Sequence, residues 1–95
     1  MKIDLNTPLL DLDGTTIIKD ENGKEIILGR LLAGYLIRHT EGDAMKFWEW
    51  AQKMHKGEVL DLDTTDQGTV REFVKQEKTL SNLVKAQLLV KLLKY

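Results

Sequence analysis

With no cysteine among its 95 residues, this chain can form neither disulfide bonds nor thiolate metal sites. Hydrophobic residues make up 42% of the chain and charged residues 31%, a composition typical of one small folded domain rather than a disordered chain. Fourteen Lys and Arg balance fifteen Asp and Glu, so bulk charge gives no reason to bind nucleic acid or an anionic membrane. No apolar signal core opens the sequence, and no apolar run reaches the ~20 residues of a membrane-spanning helix, which makes the cytoplasm the expected location.

The first 28 residues carry the signals of a small β element. Residues 2–5 alternate polar and apolar side chains, as a short strand does. Asn22-Gly23 stands between two isoleucine-rich runs and predicts a hairpin with arms at 15–19 and 24–28. The N-terminal third is therefore expected to be a twisted β-hairpin element.

Two short runs of this chain share one pattern. Residues 9–13 and 59–63 both read apolar-Leu-Asp-Leu-Asp, which indicates extended segments with the same inside–outside alternation. We interpret them as partners in one sheet, because so short a match without a repeated helical period is too little for a duplication.

The remainder of the chain has the apolar period of four helices. The spacing changes from alternating to helical at Gly29, and Gly57 supplies the permissive backbone that ends a helix. Asp43 is the expected N-cap of the second helix, and one of residues 64–66 that of the third. The predicted helices span 29–39, 44–56, a third stretch that ends near residue 76, and 80–95.

The last helix, 80–95, is the stretch around which we expect the domain to be built. Ser81 or Asn82 can cap it, and its polar residues other than Lys85 share one narrow strip. The rest of its surface is apolar and much wider than the ~100° stripe of a surface helix, so it needs cover from several sides.

These elements predict one α+β domain over residues 1–95. A small β-hairpin element at 1–28 packs on about four helices at 29–95, with the last helix central. The core is expected to combine the apolar faces of the hairpin and the helices. Its predicted members are Ile17, Ile27, Leu32, Leu36, Phe47, Ala51, Phe73, Leu89 and Leu93.

An Asp-Gly motif stands near the start of the chain. The run L-L-D-L-D-G-T at 9–15 resembles the first motif of the haloacid dehalogenase-like phosphatases. The resemblance implies Asp11 as the phosphoryl-accepting nucleophile and Asp13 as the acid/base, with Mg²⁺ beside them. That family also needs a doubly wound sheet with later motifs, and this chain has neither the length nor the βαβ alternation. Because Asp-Gly is also a common turn dipeptide, a phosphatase is the remote alternative.

Two further sets of side chains raise the question of a metal. Residues 61–72 place acidic residues at positions one, three and twelve of an EF-hand-like calcium loop, but Asp66 stands where that loop requires glycine. The alternative is an ordinary helix start with acidic residues in its first turns. His39 and His55 have no carboxylate or thiol at ligand spacing. We therefore expect no metal and no cofactor.

Several short stretches follow one another in a distinctive order. They are a K-I-D-L strand, a D-L-D-G turn, a K-D-E-N-G-K-E hairpin, and an L-G-R-L-L helix followed by capped helices. This order resembles a loose group of small proteins encoded by tailed bacteriophages and prophages. The resemblance implies a phage origin and a binding or regulatory role, and it carries over no functional residue.

A non-enzymatic protein-binding module is the function that these observations favour, acting on a phage or host protein or by self-association. Protein interfaces use exposed apolar and aromatic side chains, and the last helix could pair two copies into a homodimer. The alternative is a nucleic-acid-binding regulator that uses a strip from Arg30 to Arg38. The candidate interaction surface comprises Trp48, Trp50, Val84, Leu88 and Tyr95.

Overall fold

The computed structural model describes residues 2–93, and within them the chain forms four α-helices and one antiparallel pair of short strands. The predicted α+β class is thereby confirmed. The elements in chain order are β1 (Lys2–Ile3), α1 (Leu28–Arg38), α2 (Ala44–His55), β2 (Leu60–Asp61), α3 (Thr64–Gln76) and α4 (Asn82–Leu93).

The predicted Asn22-Gly23 turn is present between the hairpin arms. The Asp20 carboxylate accepts hydrogen bonds from the N–H groups of Asn22 and Lys24, and Gly23 takes a φ of +76°, which glycine adopts without strain. The arms make isolated bridges rather than a continuous ladder. The bridged pairs are Lys19 with Glu25, Leu10 with Ile17, and Pro8 with Ile27.

The strand pair joins the start of the chain to its middle. Lys2 pairs with Asp61 and Ile3 with Leu60. The expected pairing of 9–13 with 59–63 is therefore wrong. The turn after residue 10 brings the nearby hairpin arm back alongside it, and closing that short loop loses less chain entropy than a distant pairing.

Short polar side chains begin three of the helices. As predicted, the Asp43 carboxylate accepts hydrogen bonds from two N–H groups in the first turn of α2. Asp63 caps α3 by accepting from the N–H of Asp66 at 2.7 Å. The predicted cap within 64–66 is wrong, because those residues already have helical backbone. Ser81 Oγ accepts from a first-turn N–H at the start of α4.

The four helices contribute to one shared core. α1 and α2 lie side by side in opposite directions, and α4 contacts both α1 and α3. Leu88 and Leu92 of α4 have no exposed surface, so the last helix contributes fully buried side chains to this core. The buried core comprises Ile3, Leu5, Leu9, Leu28, Leu32, Ala33, Leu36, Phe47, Trp50, Ala51, Met54, Leu60, Leu62, Val70, Phe73, Val74, Leu80, Val84, Leu88 and Leu92.

Two of the predicted core positions lie at the surface instead. Ile17 is 37% exposed, because its neighbour Ile18 packs against the core and side chains alternate along an extended arm. Leu93 is 47% exposed at the end of α4, next to the fully buried Leu92. The remaining predicted members are buried or half-buried.

Two glutamines hold α4 in place. Gln87 donates from Nε2 to the Leu10 carbonyl at 2.7 Å and accepts from the Leu10 N–H through Oε1 at 2.9 Å. Gln67 of α3 is buried and donates from Nε2 to the Leu92 carbonyl near the end of α4, where helix carbonyls lack intrahelical partners. Helix α4 is thus hydrogen-bonded both to the N-terminal segment at Leu10 and to α3.

Candidate protein-binding surface

The structure separates the five residues of the predicted interaction surface. Trp48 is 50% exposed on α2, whereas Trp50, two residues further, is 6% exposed in the core. Val84 and Leu88 are buried as well, and Tyr95 lies outside the described residues. A surface built on Trp50, Val84 and Leu88 is therefore wrong, and of the five only Trp48 offers exposed side-chain area within residues 2–93.

The solvent-facing flank of α4 differs from the one we predicted. Val90 and Leu93 are 54% and 47% exposed, while Leu88 is wholly buried. A helical wheel that is apolar on nearly every side does not distinguish these flanks. A dimer contact through Leu88 would require the core to open.

The turn at residues 11–14 uses its two carboxylates to organise its own backbone. Asp13 Oδ1 accepts from the N–H groups of Thr15 and Thr16 at 2.9 and 2.8 Å, and Oδ2 accepts from the Thr16 hydroxyl. The Thr16 hydroxyl and these backbone N–H groups lower the pKa of Asp13 to about 2. Asp11 accepts from the next backbone N–H. A carboxyl with so low a pKa is a poor proton donor near neutral pH, and the turn interpretation of Asp-Gly accounts for both side chains.

The residues that raised the question of a metal also have structural roles. Helix α3 begins at Thr64, so 61–72 do not form a calcium-type loop. Across residues 2–93, no group of three or more metal-ligating side chains is arranged to hold an ion. His39 packs edge-on against Phe73, with ring centroids 4.9 Å apart.

A broad cleft of about 990 Å³ lies beside α3 and the loop that follows α1. Charged side chains of both signs line it, among them Glu41, Arg71, Glu72 and Lys75. These charges largely compensate one another, and the described lining residues include no grouping that points to a particular ligand.

A smaller cleft of about 390 Å³ runs between α1 and α2 and has a more specific character. Ile37 is 45% exposed and Trp48 is 50% exposed along it. Gly34 leaves space in the same cleft, because a Cβ at that position would meet no atom within 4 Å. We call this cleft the α1–α2 groove; its lining residues are Arg30, Ala33, Gly34, Ile37, Trp48, Ala51, Gln52, His55 and Lys56.

The apolar surface continues beyond one end of the groove. Met45, at the start of α2, is 75% exposed, and it lines an adjoining hollow together with Ile37 and Trp48. Three large apolar side chains thus lie along one face of the α1–α2 pair. Their helices fix their positions relative to one another.

The charged rim of the groove is basic. Its charged side chains are Arg30 and Lys56, and the described lining residues include no Asp or Glu. Arg30 Nε donates to the His55 carbonyl at 3.3 Å, which holds the guanidinium at the end of α2. Glu49, also on α2, pairs with Lys53 at 3.4 Å. The groove therefore suits an apolar segment that carries negative charge.

Sequence reasoning missed the partners of Trp48 in this surface. The predicted interaction surface did not include Ile37, which lies half a turn away from the buried Leu28 on a helical wheel. The two arginines of the predicted basic strip, Arg30 and Arg38, also line different hollows of the surface. Arg38 lines a different hollow with Glu77, whereas Arg30 lines the groove.

Comparison of the chain with protein-family models, with curated protein sequences and with solved structures finds no match. None of the helices within residues 2–93 combines the length and the apolar character that crossing a membrane requires.

Proposed function

We propose that this protein is a non-enzymatic protein-binding module whose contact surface is the α1–α2 groove. The observation that carries the proposal is Trp48, a half-exposed tryptophan beside the exposed Ile37. Tryptophan supplies a large apolar contact area from a side chain with few rotamers, and it is enriched among the residues that dominate interface energies. Clustered exposed apolar side chains of this kind are typical of interaction sites.

The shape and lining of the groove support a polypeptide partner. Ala33, Gly34 and Ala51 line the groove as small residues, which leaves room for an inserted side chain. Grooves between helices commonly take an amphipathic segment through a few apolar anchors. No step in such binding calls for a cofactor.

The resemblance to small phage proteins supplies the proposed setting. In that setting the protein acts in the cytoplasm of the host cell as an accessory or regulatory protein, by binding a phage or host protein. The groove is then the surface that the partner recognises.

Affinity capture from a cell lysate with paired variants tests this proposal. Trp48→Ala should abolish capture of a specific protein, because it removes the largest apolar side chain that lines the groove. Val59→Ala is the matched control, since Val59 is 44% exposed and does not line the groove. Both variants are first shown by circular dichroism to be folded. Equal capture by the wild type and the Trp48 variant contradicts the proposal.

Single-stranded nucleic acid is the second candidate ligand, because an exposed tryptophan beside basic side chains can stack on a base. The net charge near −1 and the apolar lining favour protein over nucleic acid. Titration with a mixed-sequence oligonucleotide distinguishes the two. Quenching of Trp48 fluorescence that disappears at high salt would favour nucleic acid.

A further inference from the structure

The turn at residues 11–14 presents Leu12 to solvent in a fixed conformation. Leu12 is 91% exposed, more than any other large hydrophobic side chain within residues 2–93. The backbone behind it is held by the Asp13 carboxylate, which accepts two N–H groups and a hydroxyl, and by a 2.9 Å bond from Gly14 N–H to the Asp11 carbonyl. Because the backbone of the turn is already held in place, insertion into a partner has to order only the Leu12 side chain.

The two carboxylates beside Leu12 are opposite in sign to the rim of the α1–α2 groove, and Lys91 lines the hollow on the Asp11 side of the turn. Asp11 and Asp13 flank Leu12 on the turn, while the rim of the groove is basic and its described lining contains no carboxylate. Complementary potentials of this kind steer association and fix its register. The groove, at about 390 Å³, also has room for a leucine side chain beside Trp48.

We infer that the α1–α2 groove binds the 11–14 turn of a second copy of this protein. Leu12 of one copy lies against Trp48 of the next, and the two Asp carboxylates face the basic rim. The inference rests on the proposed function, since it names the occupant of the same groove. Within a single chain the two surfaces do not meet, because Leu12 is almost fully exposed.

A contact of this kind is head-to-tail, because it joins two different surfaces. Each copy that uses its turn still has a free groove, so the assembly extends until it closes into a ring or continues as a chain. This differs from a two-fold dimer, in which one patch meets itself and growth stops at two copies.

Sedimentation equilibrium over a range of protein concentrations tests the contact. The average mass of the wild type should rise with concentration and pass twice the monomer mass, and added salt should reduce it. Leu12→Ser removes the inserted side chain from an exposed position, and Gly34→Gln places a side chain in the groove at a site where a new Cβ meets no atom within 4 Å. Each variant alone should remain monomeric up to about 1 mM.

Mixing the two variants gives the decisive measurement. The Leu12 variant retains its groove and the Gly34 variant retains its turn, so an equimolar mixture should form a heterodimer of twice the monomer mass and no larger species. A wild type that stays monomeric overturns the inference, and so do variants that associate as the wild type does. A mixture that fails to recover the contact indicates a symmetric interface and overturns it too. These outcomes leave Trp48-dependent capture of another protein as a separate test of the proposed function.

Discussion

At single positions, aspartate carboxylates decide where this chain turns and where its helices begin. Asp13 and Asp20 accept backbone N–H groups in two turns, and Asp43 and Asp63 do so at two helix starts. In each case the oxygen accepts from an N–H two to four residues ahead, which is the reach of a short acidic side chain at a turn or a helix start. The Asp43 cap was recognised from the sequence because it involves neighbouring residues only, whereas the cap of α3 was expected one to three residues after Asp63.

The ionised Asp13 should make stability depend on acid pH. Its pKa is about 2 in the folded protein against 3.8 for an ordinary carboxyl, chiefly because of the Thr16 hydroxyl bond. The folded pKa is the lower one, so the unfolded chain binds the proton more readily between these values. We expect the stabilisation from Asp13 to be present above pH 3.8 and to be lost as the pH falls towards 2.

Urea unfolding of the wild type and Asp13→Asn between pH 7 and pH 2 measures this contribution. The difference in free energy of unfolding between the two proteins should shrink on the acid side. Thr16→Val removes the hydroxyl bond and should weaken that pH dependence. A difference that stays constant over the whole range would show that the pKa of Asp13 is not lowered.

At the scale of elements, the sequence predicted helices better than it predicted their faces. Periodic apolar residues and the Asp43 cap located the helices to within a few residues. The apolar wheel of α4 indicated a central helix, yet it did not tell the buried Leu88 from the exposed Val90, since both sides are apolar. The sequence likewise did not determine which side chains of the short arm at 15–19 face the core. Ile17 was predicted to be buried, but Ile18 is the residue that packs against the core.

The α1–α2 groove could be predicted only in part. Trp48 stood out by its residue type, but the groove depends on its distance from Ile37 and on the space at Gly34. Those relations are set by the packing of two helices rather than by spacing within either one. A helical wheel describes one helix at a time and contains no such relation.

Gln87 joins α4 to the N-terminal segment at Leu10, and the contribution of its two hydrogen bonds to stability can be measured. Gln87→Ala leaves the partly buried N–H and carbonyl of Leu10 without their partners. An unsatisfied buried polar group costs about 1–3 kcal/mol, so the free energy of unfolding should fall by about that amount. Gln76→Ala, at an exposed position on α3, serves as the control and should change it by less than ~0.5 kcal/mol.

Gln87→Glu separates the two hydrogen bonds. The carboxylate keeps an acceptor for the Leu10 N–H but loses the donor to the Leu10 carbonyl. This variant should therefore also be destabilised at neutral pH. If all three substitutions have equally small effects, the Leu10 backbone groups are satisfied by water and Gln87 does not anchor the helix.

At the scale of the whole molecule, one core joins segments that lie far apart in the sequence. Ile3 and Leu5 from the first residues are buried with side chains of all four helices. The Leu5 carbonyl also accepts from the Gly29 N–H at 2.8 Å, and a Cβ on Gly29 would lie only 3.1 Å from that oxygen. The start of the chain thus contacts α1 closely as well as contributing to the core.

This shared core predicts a single cooperative unfolding transition. Tryptophan fluorescence reports on α2, where both Trp48 and Trp50 lie, and far-ultraviolet circular dichroism reports on all four helices. The two probes should give coincident urea curves, as a two-state domain does.

Leu5→Ala should lower the free energy of unfolding by about 2–5 kcal/mol and move both curves together, because Leu5 is 1% exposed and its truncation leaves a cavity. If the fluorescence curve kept its midpoint while the dichroism curve moved, the α1–α2 pair would unfold independently of the N-terminal segment. The groove would then belong to a separable helical hairpin, and the variants of the 11–14 turn would not affect its stability.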